Sequence, residues 1–141
     1  MKLLILIIFL LSIFNYKPQT GGTLELIIKN TKSNNGVVQV LIFNKEDGFP
    51  EEHKKAFKAL SLPISNSSAR VVIEDLEAGN YAVSVIHDED SDGQIRKNNL
   101  GMPLDRYGFS NNPTLIFGPP SFSKSAVAIK NDSVKVEISL R

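Results

Sequence analysis

Aspartates alternate at positions 88, 90 and 92, and Gly93 follows them. Alternate residues of a tightly turned loop can aim their side chains at one point, and the glycine permits the sharp turn. A calcium ion takes about six to eight hard oxygens, and D-x-D-x-D-G is the first half of a loop that supplies them. Gln94 would add a backbone carbonyl. Asn99 falls at position twelve, where a helix-loop-helix calcium site carries a bidentate glutamate. The expected ligand set is therefore Asp88, Asp90, Asp92, Gln94 and Asn99, with a structural role for the calcium. The flanks depart from such a site, since a strand pattern precedes the loop and no helix pattern follows. The same acids also read as a metal-free polar turn whose side chains accept backbone N–H groups. Arg96, Lys97 and Arg106 stand near enough in sequence to neutralise them.

His87 precedes the acids. Beside Asp88 it could act as a general base in a hydrolase, or as a zinc ligand. Zinc would need further good ligands, and the only other histidine is His53, far off in sequence. The favoured reading is a buried histidine whose ring the loop holds. Beyond the acids, Asn98–Phe122 gathers Leu100, Met102, Tyr107, Phe109, Phe117 and Phe122 among Gly, Asn and Pro. His87, Tyr107, Phe109 and Asn111 are the candidate contacts to a protein or carbohydrate ligand. The competing reading is a satellite core in which this loop turns its aromatics inward. No nucleophile elbow, phosphate-cradling loop or zinc helix is present, so a non-enzymatic protein is favoured.

The 141-residue chain suits one domain, and its 42% hydrophobic content can bury one core. A formal charge of +1 argues against nucleic acid or an anionic membrane as the main partner. There is no cysteine, which excludes thiolate chemistry and a bacterial lipid attachment site. Residues 1–20 read as a signal peptide. Lys2 opens it, and Leu3–Phe14 is a short apolar run with the length of a signal core. Cleavage is expected within 15–22, leaving residues 21–141 as one exported domain, periplasmic or extracellular, with no further membrane insertion.

The elements that must hold the loop are strands. Thr23–Lys29 alternates apolar and polar residues. Asn35-Gly36 offers hairpin chemistry before Val37–Asn44, an apolar run that reads as a central strand. Pro50 could begin a short helix within Asp47–Leu60, with Glu51 and Glu52 at its positive end and lysines at its negative end. Leu62–Ser68 reads as a polar loop. Arg70–Asp75 and Tyr81–His87 read as a hairpin with Gly79 left-handed between them. Ala126–Lys130 and Ser133–Leu140 read as a last hairpin. The sum is an all-β, antiparallel sandwich of about seven strands, six to eight, with one short helix in a crossover and one long irregular loop.

Gly36–Phe43 (GVVQVLIF), Gly48-Phe49-Pro50, Leu76–Asp90 (LEAGNYAVSVIHDED), Asn99–Pro103 (NLGMP), Tyr107–Asn112 (YGFSNN) and Phe117–Phe122 (FGPPSF) together carry a resemblance. The chain resembles a family of small exported bacterial proteins known as domain of unknown function 2141. The Gly-Asn-Tyr turn is also similar to the transthyretin-like sandwiches of carboxypeptidase regulatory domains. The first resemblance implies an exported single-domain β-sandwich and supplies no catalytic residue.

Overall fold

The computed structural model describes residues 20–141, so the expected signal segment lies outside the described residues except for Thr20. Among the described residues eight strands form: β1 (Gly22–Lys29), β2 (Val37–Phe43), β3 (Lys58–Pro63), β4 (Ser68–Leu76), β5 (Gly79–Asp88), β6 (Tyr107–Phe109), β7 (Val127–Ile129) and β8 (Ser133–Ser139). One short helix, α1 (Phe122–Ser125), precedes β7. One sheet has the order β4-β1-β8, and the other has β3-β2-β5-β6 with β7 added on β5. Every pairing is antiparallel except β1 with β8. The architecture is the expected β-sandwich.

Period-2 patterning builds its core. Leu24, Leu26 and Ile28 of β1 face Val38, Val40 and Ile42 of β2, with Val83 and Val85 of β5 and Ile138 of β8 filling the space between. A smaller apolar layer covers the outer face of the second sheet. There the Phe49 ring stands edge-on to Phe43 at 5.4 Å, Phe122 at 5.9 Å and Phe109 at 6.2 Å. Ser84 donates its hydroxyl to the Pro50 carbonyl at 2.7 Å and ties the Phe49–Pro50 segment down.

Several local expectations give way to this topology. The three expected hairpins are not hairpins. β1 and β2 lie in different sheets, as do β4 and β5, while β7 pairs with β5 and β8 with β1. An alternating strand buries one face whether its chain neighbour lies beside it or across the core, so the pattern cannot choose. The left-handed residue is Asp75 (φ 56), near the end of β4, and Gly79 opens β5. The helix expected within Asp47–Leu60 is absent. The Phe49–Pro50 peptide is cis, only a 3-10 turn forms at His53–Lys55, and Lys58–Pro63 pairs with β2 from Ile42 to Val37. The unpaired edge of β2 outweighs the weak helical preference of this run. The same pairing draws Leu62 and Pro63 of the expected polar loop into β3, while pairing with Lys29 of β1 draws Ser68 into β4.

The two sheets touch along one edge. Tyr107 and Arg141 exchange backbone hydrogen bonds of 3.1 and 3.0 Å. Gly108 permits this approach, because a Cβ there would lie 2.7 Å from Ile138 Cγ2. β6 is thereby fixed, and it anchors the far end of the long irregular loop.

Candidate functional site

Alternation along β5 turns His87 toward the interior and Asp88 toward the outer face. His87 is 1% exposed. The Lys32 amide donates to Nδ1 at 3.1 Å, and Nε2 lies 2.9 Å from the Asn35 carbonyl. Those partners select the neutral tautomer with the proton on Nε2. The imidazole thus straps the β1–β2 connection to β5 with both nitrogens engaged. This is the buried, loop-held histidine expected from the sequence.

Asp88 is also buried, and it accepts Gln39 Nε2 at 3.1 Å, the Gly93 amide at 2.8 Å and the Asp92 amide at 3.2 Å. Burial opposes its charge, but these donors outweigh burial and hold the carboxyl below its ordinary pKa. Asp92 accepts the Gln94 amide at 2.8 Å, which closes the turn. Asp90 is exposed and shows the opposite effect. A hydrogen bond with Asp88, then desolvation and the charge on Asp92, push its carboxyl above the usual value. Carboxylate oxygens of Asp88, Asp90 and Asp92 all lie within 4.8 Å of one another. Of the other expected ligands, Gln94 follows at the surface, and Asn99 lies in the exposed Asn98–Met102 turn.

From Ile95 to Asp105 the loop makes a narrow finger. Leu104 N donates to Arg96 O at 2.8 Å, and Asn98 N to Met102 O at 2.9 Å. The Asn98 side chain accepts the Leu100 and Met102 amides at 2.9 and 3.0 Å, so the tip is organised by local Asx chemistry. The base is pinned by charge. Asp105 is 5% exposed and accepts both the amide and Nε of Arg96 at 2.7 Å, with a further close contact from Nη2. Arg96 Nη2 also reaches Glu89 at 3.3 Å, and Glu89 in turn holds Lys32 at 3.2 Å and the Ser33 hydroxyl at 2.9 Å. Asp105 foremost, and Glu89 after it, raise the pKa of Arg96. The Ser33 hydroxyl, followed by Lys32, lowers that of Glu89. This pin was not foreseen, since nothing in sequence distinguishes Asp105 from a solvated loop acid. On the finger so fixed, Leu100 is 85% exposed, Met102 61% and Leu104 62%.

The expected aromatic surface is split, with Phe109 inside, Tyr107 and Phe122 half-buried and Phe117 in solvent. Phe109 is 6% exposed and meets Phe49 and Tyr107 edge-on. Asn111, left-handed at φ 66, spends its amide on the Ala126 carbonyl at 2.9 Å and the Lys124 carbonyl at 3.3 Å. Tyr107 is half-buried. Phe117 alone among these aromatics is fully outside, at 99%.

A family model described as an uncharacterised protein conserved in bacteria, domain of unknown function 2141, matches residues 27–137. The chain belongs to this family. The match runs from β1 into β8 and takes in the whole of the Asp turn and the finger. No curated protein and no solved structure matches the chain. Among the described residues, no helix is long and apolar enough to cross a membrane.

Proposed function

We propose that this member of the family is an exported, non-catalytic binding module whose finger, Ile95–Asp105, is its contact surface for a protein partner. The observation that carries the reading is a rigid mount under an apolar tip. Arg96, Asp105 and Glu89 fix the base, while Leu100, Met102 and Leu104 stand in solvent. Large aliphatic side chains held out by an ion-paired base are costly in water and suit burial in a partner's pocket. An aliphatic tip favours a protein over a carbohydrate, which would need aromatic faces with free polar groups, and Phe109 and Asn111 are otherwise engaged. A non-catalytic reading of His87 is supported by its two backbone hydrogen bonds, which leave a hydrolytic mechanism no free ring nitrogen.

A photo-reactive amino acid placed at Leu100 in the producing bacterium should cross-link one partner protein. The same probe at Lys135, exposed on the other sheet, should not. Equal labelling from both positions, or none from Leu100, would remove the finger as contact surface and leave a purely structural envelope component as the better reading.

Calcium belongs to the same proposal as a clamp at the root of the loop. Supporting it are the convergence of three carboxylates and the raised pKa of Asp90, the mark of a group short of positive charge. A carboxyl whose pKa is raised in the fold is unfavourable once ionised, so at neutral pH it detracts from stability. Asp90→Asn should therefore melt higher than the parent in EDTA and should not respond to calcium. The parent should rise by several degrees in calcium, since ligand at about 100 times its dissociation constant adds roughly 2.7 kcal/mol. Coincident parent melts in calcium and EDTA would leave the acids as a polar turn.

A further inference from the structure

The nine-residue strand β4 ends its sheet, and beyond Ser68, which Ser65 of the preceding connection meets, its outer edge is free among the described residues. Which backbone groups face outward follows from β1. Thr23 N donates to Asp132 and Lys29 O accepts from Leu140, so the odd-numbered residues of β1 address β8 and the even-numbered ones address β4. Leu24, Leu26 and Ile28 stand opposite Ile73, Val71 and Ala69. Arg70 and Val72 must then direct their N–H and C=O groups away from the sheet, where no backbone partner meets them among the described residues.

From Arg70 to Val72 this edge is neither covered by backbone nor interrupted by proline among the described residues. The only backbone among them that pairs with it is Ser65 of the preceding connection, which meets Ser68 at its start and leaves Arg70 and Val72 uncovered. Its outer face reads Arg70, Val72, Glu74, with Val72 45% exposed. Arg70 uses only Nε, on Glu25 at 2.8 Å, and Glu74 has no ion-pair partner among the described residues.

We infer that β4 is the seam of a two-fold dimer, in which it pairs antiparallel with β4 of a second copy about Val72. The charge pattern selects this occupant. Antiparallel pairing centred on Val72 sets Arg70 opposite the partner's Glu74 and Glu74 opposite the partner's Arg70, so one short sequence complements itself. The same register sets outward N–H groups against outward carbonyls. The irregular pairing beyond Ile73, with Asp75 left-handed at φ 56, bounds the seam at that end. The sheet is then continuous across both copies, and the finger of each remains free.

Sedimentation and light scattering of the purified chain, from micromolar to millimolar, test this. The parent should pass from monomer to dimer, and the amides of Arg70 and Val72 should gain exchange protection as it does. Glu74→Arg, which sets arginine against arginine, should raise the dissociation constant by about tenfold or more, and Arg70→Glu combined with Glu74→Arg should restore it. Val72→Pro deletes an outward N–H, so it should give a folded monomer. A parent that stays monomeric throughout overturns the inference. So does a dimer that survives both Glu74→Arg and Val72→Pro, or one abolished instead by Leu100→Ser on the finger.

Discussion

His87→Ala is expected to lower the unfolding free energy by about 3–5 kcal/mol, a large share of the roughly 5–15 kcal/mol that holds a domain of this kind together. The imidazole is 1% exposed, and its removal opens a cavity beside the interior. It also orphans the part-buried Lys32 amide and Asn35 carbonyl, and a fully buried group left unpaired costs about 1–3 kcal/mol. Partial access of water to these loop groups keeps the total below the plain sum. Urea unfolding should show a lower midpoint with an unchanged slope. Hydrogen exchange at Lys32 should accelerate more than at Val40 in the interior, because the β1–β2 connection loses its strap first. A variant with parental stability would mean that the histidine is not the clamp its hydrogen bonds describe, and would reopen the catalytic reading.

Gly36→Ala should destabilise by about 2–5 kcal/mol, through two additive causes. Gly36 has φ 72, a conformation that penalises any L side chain, and an added Cβ would lie 2.0 Å from the Asp88 carbonyl oxygen. Backbone cannot swing aside as a side chain can, so β2 or β5 would have to shift. Gly93 and Gly101 supply the control. Both have φ 77, yet a Cβ at either meets nothing within 4 Å. Alanine at those positions should cost only the conformational penalty, about 1–2 kcal/mol. Three melting curves separate the terms. Equal losses at Gly36, Gly93 and Gly101 would show that the close approach to Asp88 carries no energy.

Both substitutions test one junction, where the β1–β2 connection, the end of β5 and the root of the finger meet. His87 holds the connection from inside. Glu89 holds it from outside through Lys32 and Ser33, and Arg96 links that same glutamate to the pin at Asp105. These contacts fix the root of the finger, whose apolar tip stands in water.

The existence of β1, β2, β4, β5, β7 and β8, their buried faces and the Asp turn were determined by the sequence alone, because each depends on neighbours within a few residues. Leu24, Leu26 and Ile28 had to share a face, and Asp92 with Gln94 could close an Asx turn without help. Burial of His87 was legible from its place in the alternation Tyr81, Val83, Val85. Partner choice was not legible, since an apolar face is satisfied equally by a strand beside it or a sheet across from it. Only the tertiary structure decided that β1 would take β4 and β8, and that Lys58–Pro63 would join β2 against the helix signals ahead of it. It also decided the fate of the loop residues. Phe109 and Asn111 were drawn into packing and backbone capping, while Leu100 and Met102, of no different character in sequence, were left outside by a pin whose two halves lie nine residues apart. Exposure of that kind depends on which contacts the folded loop makes, and the residue types alone do not encode it.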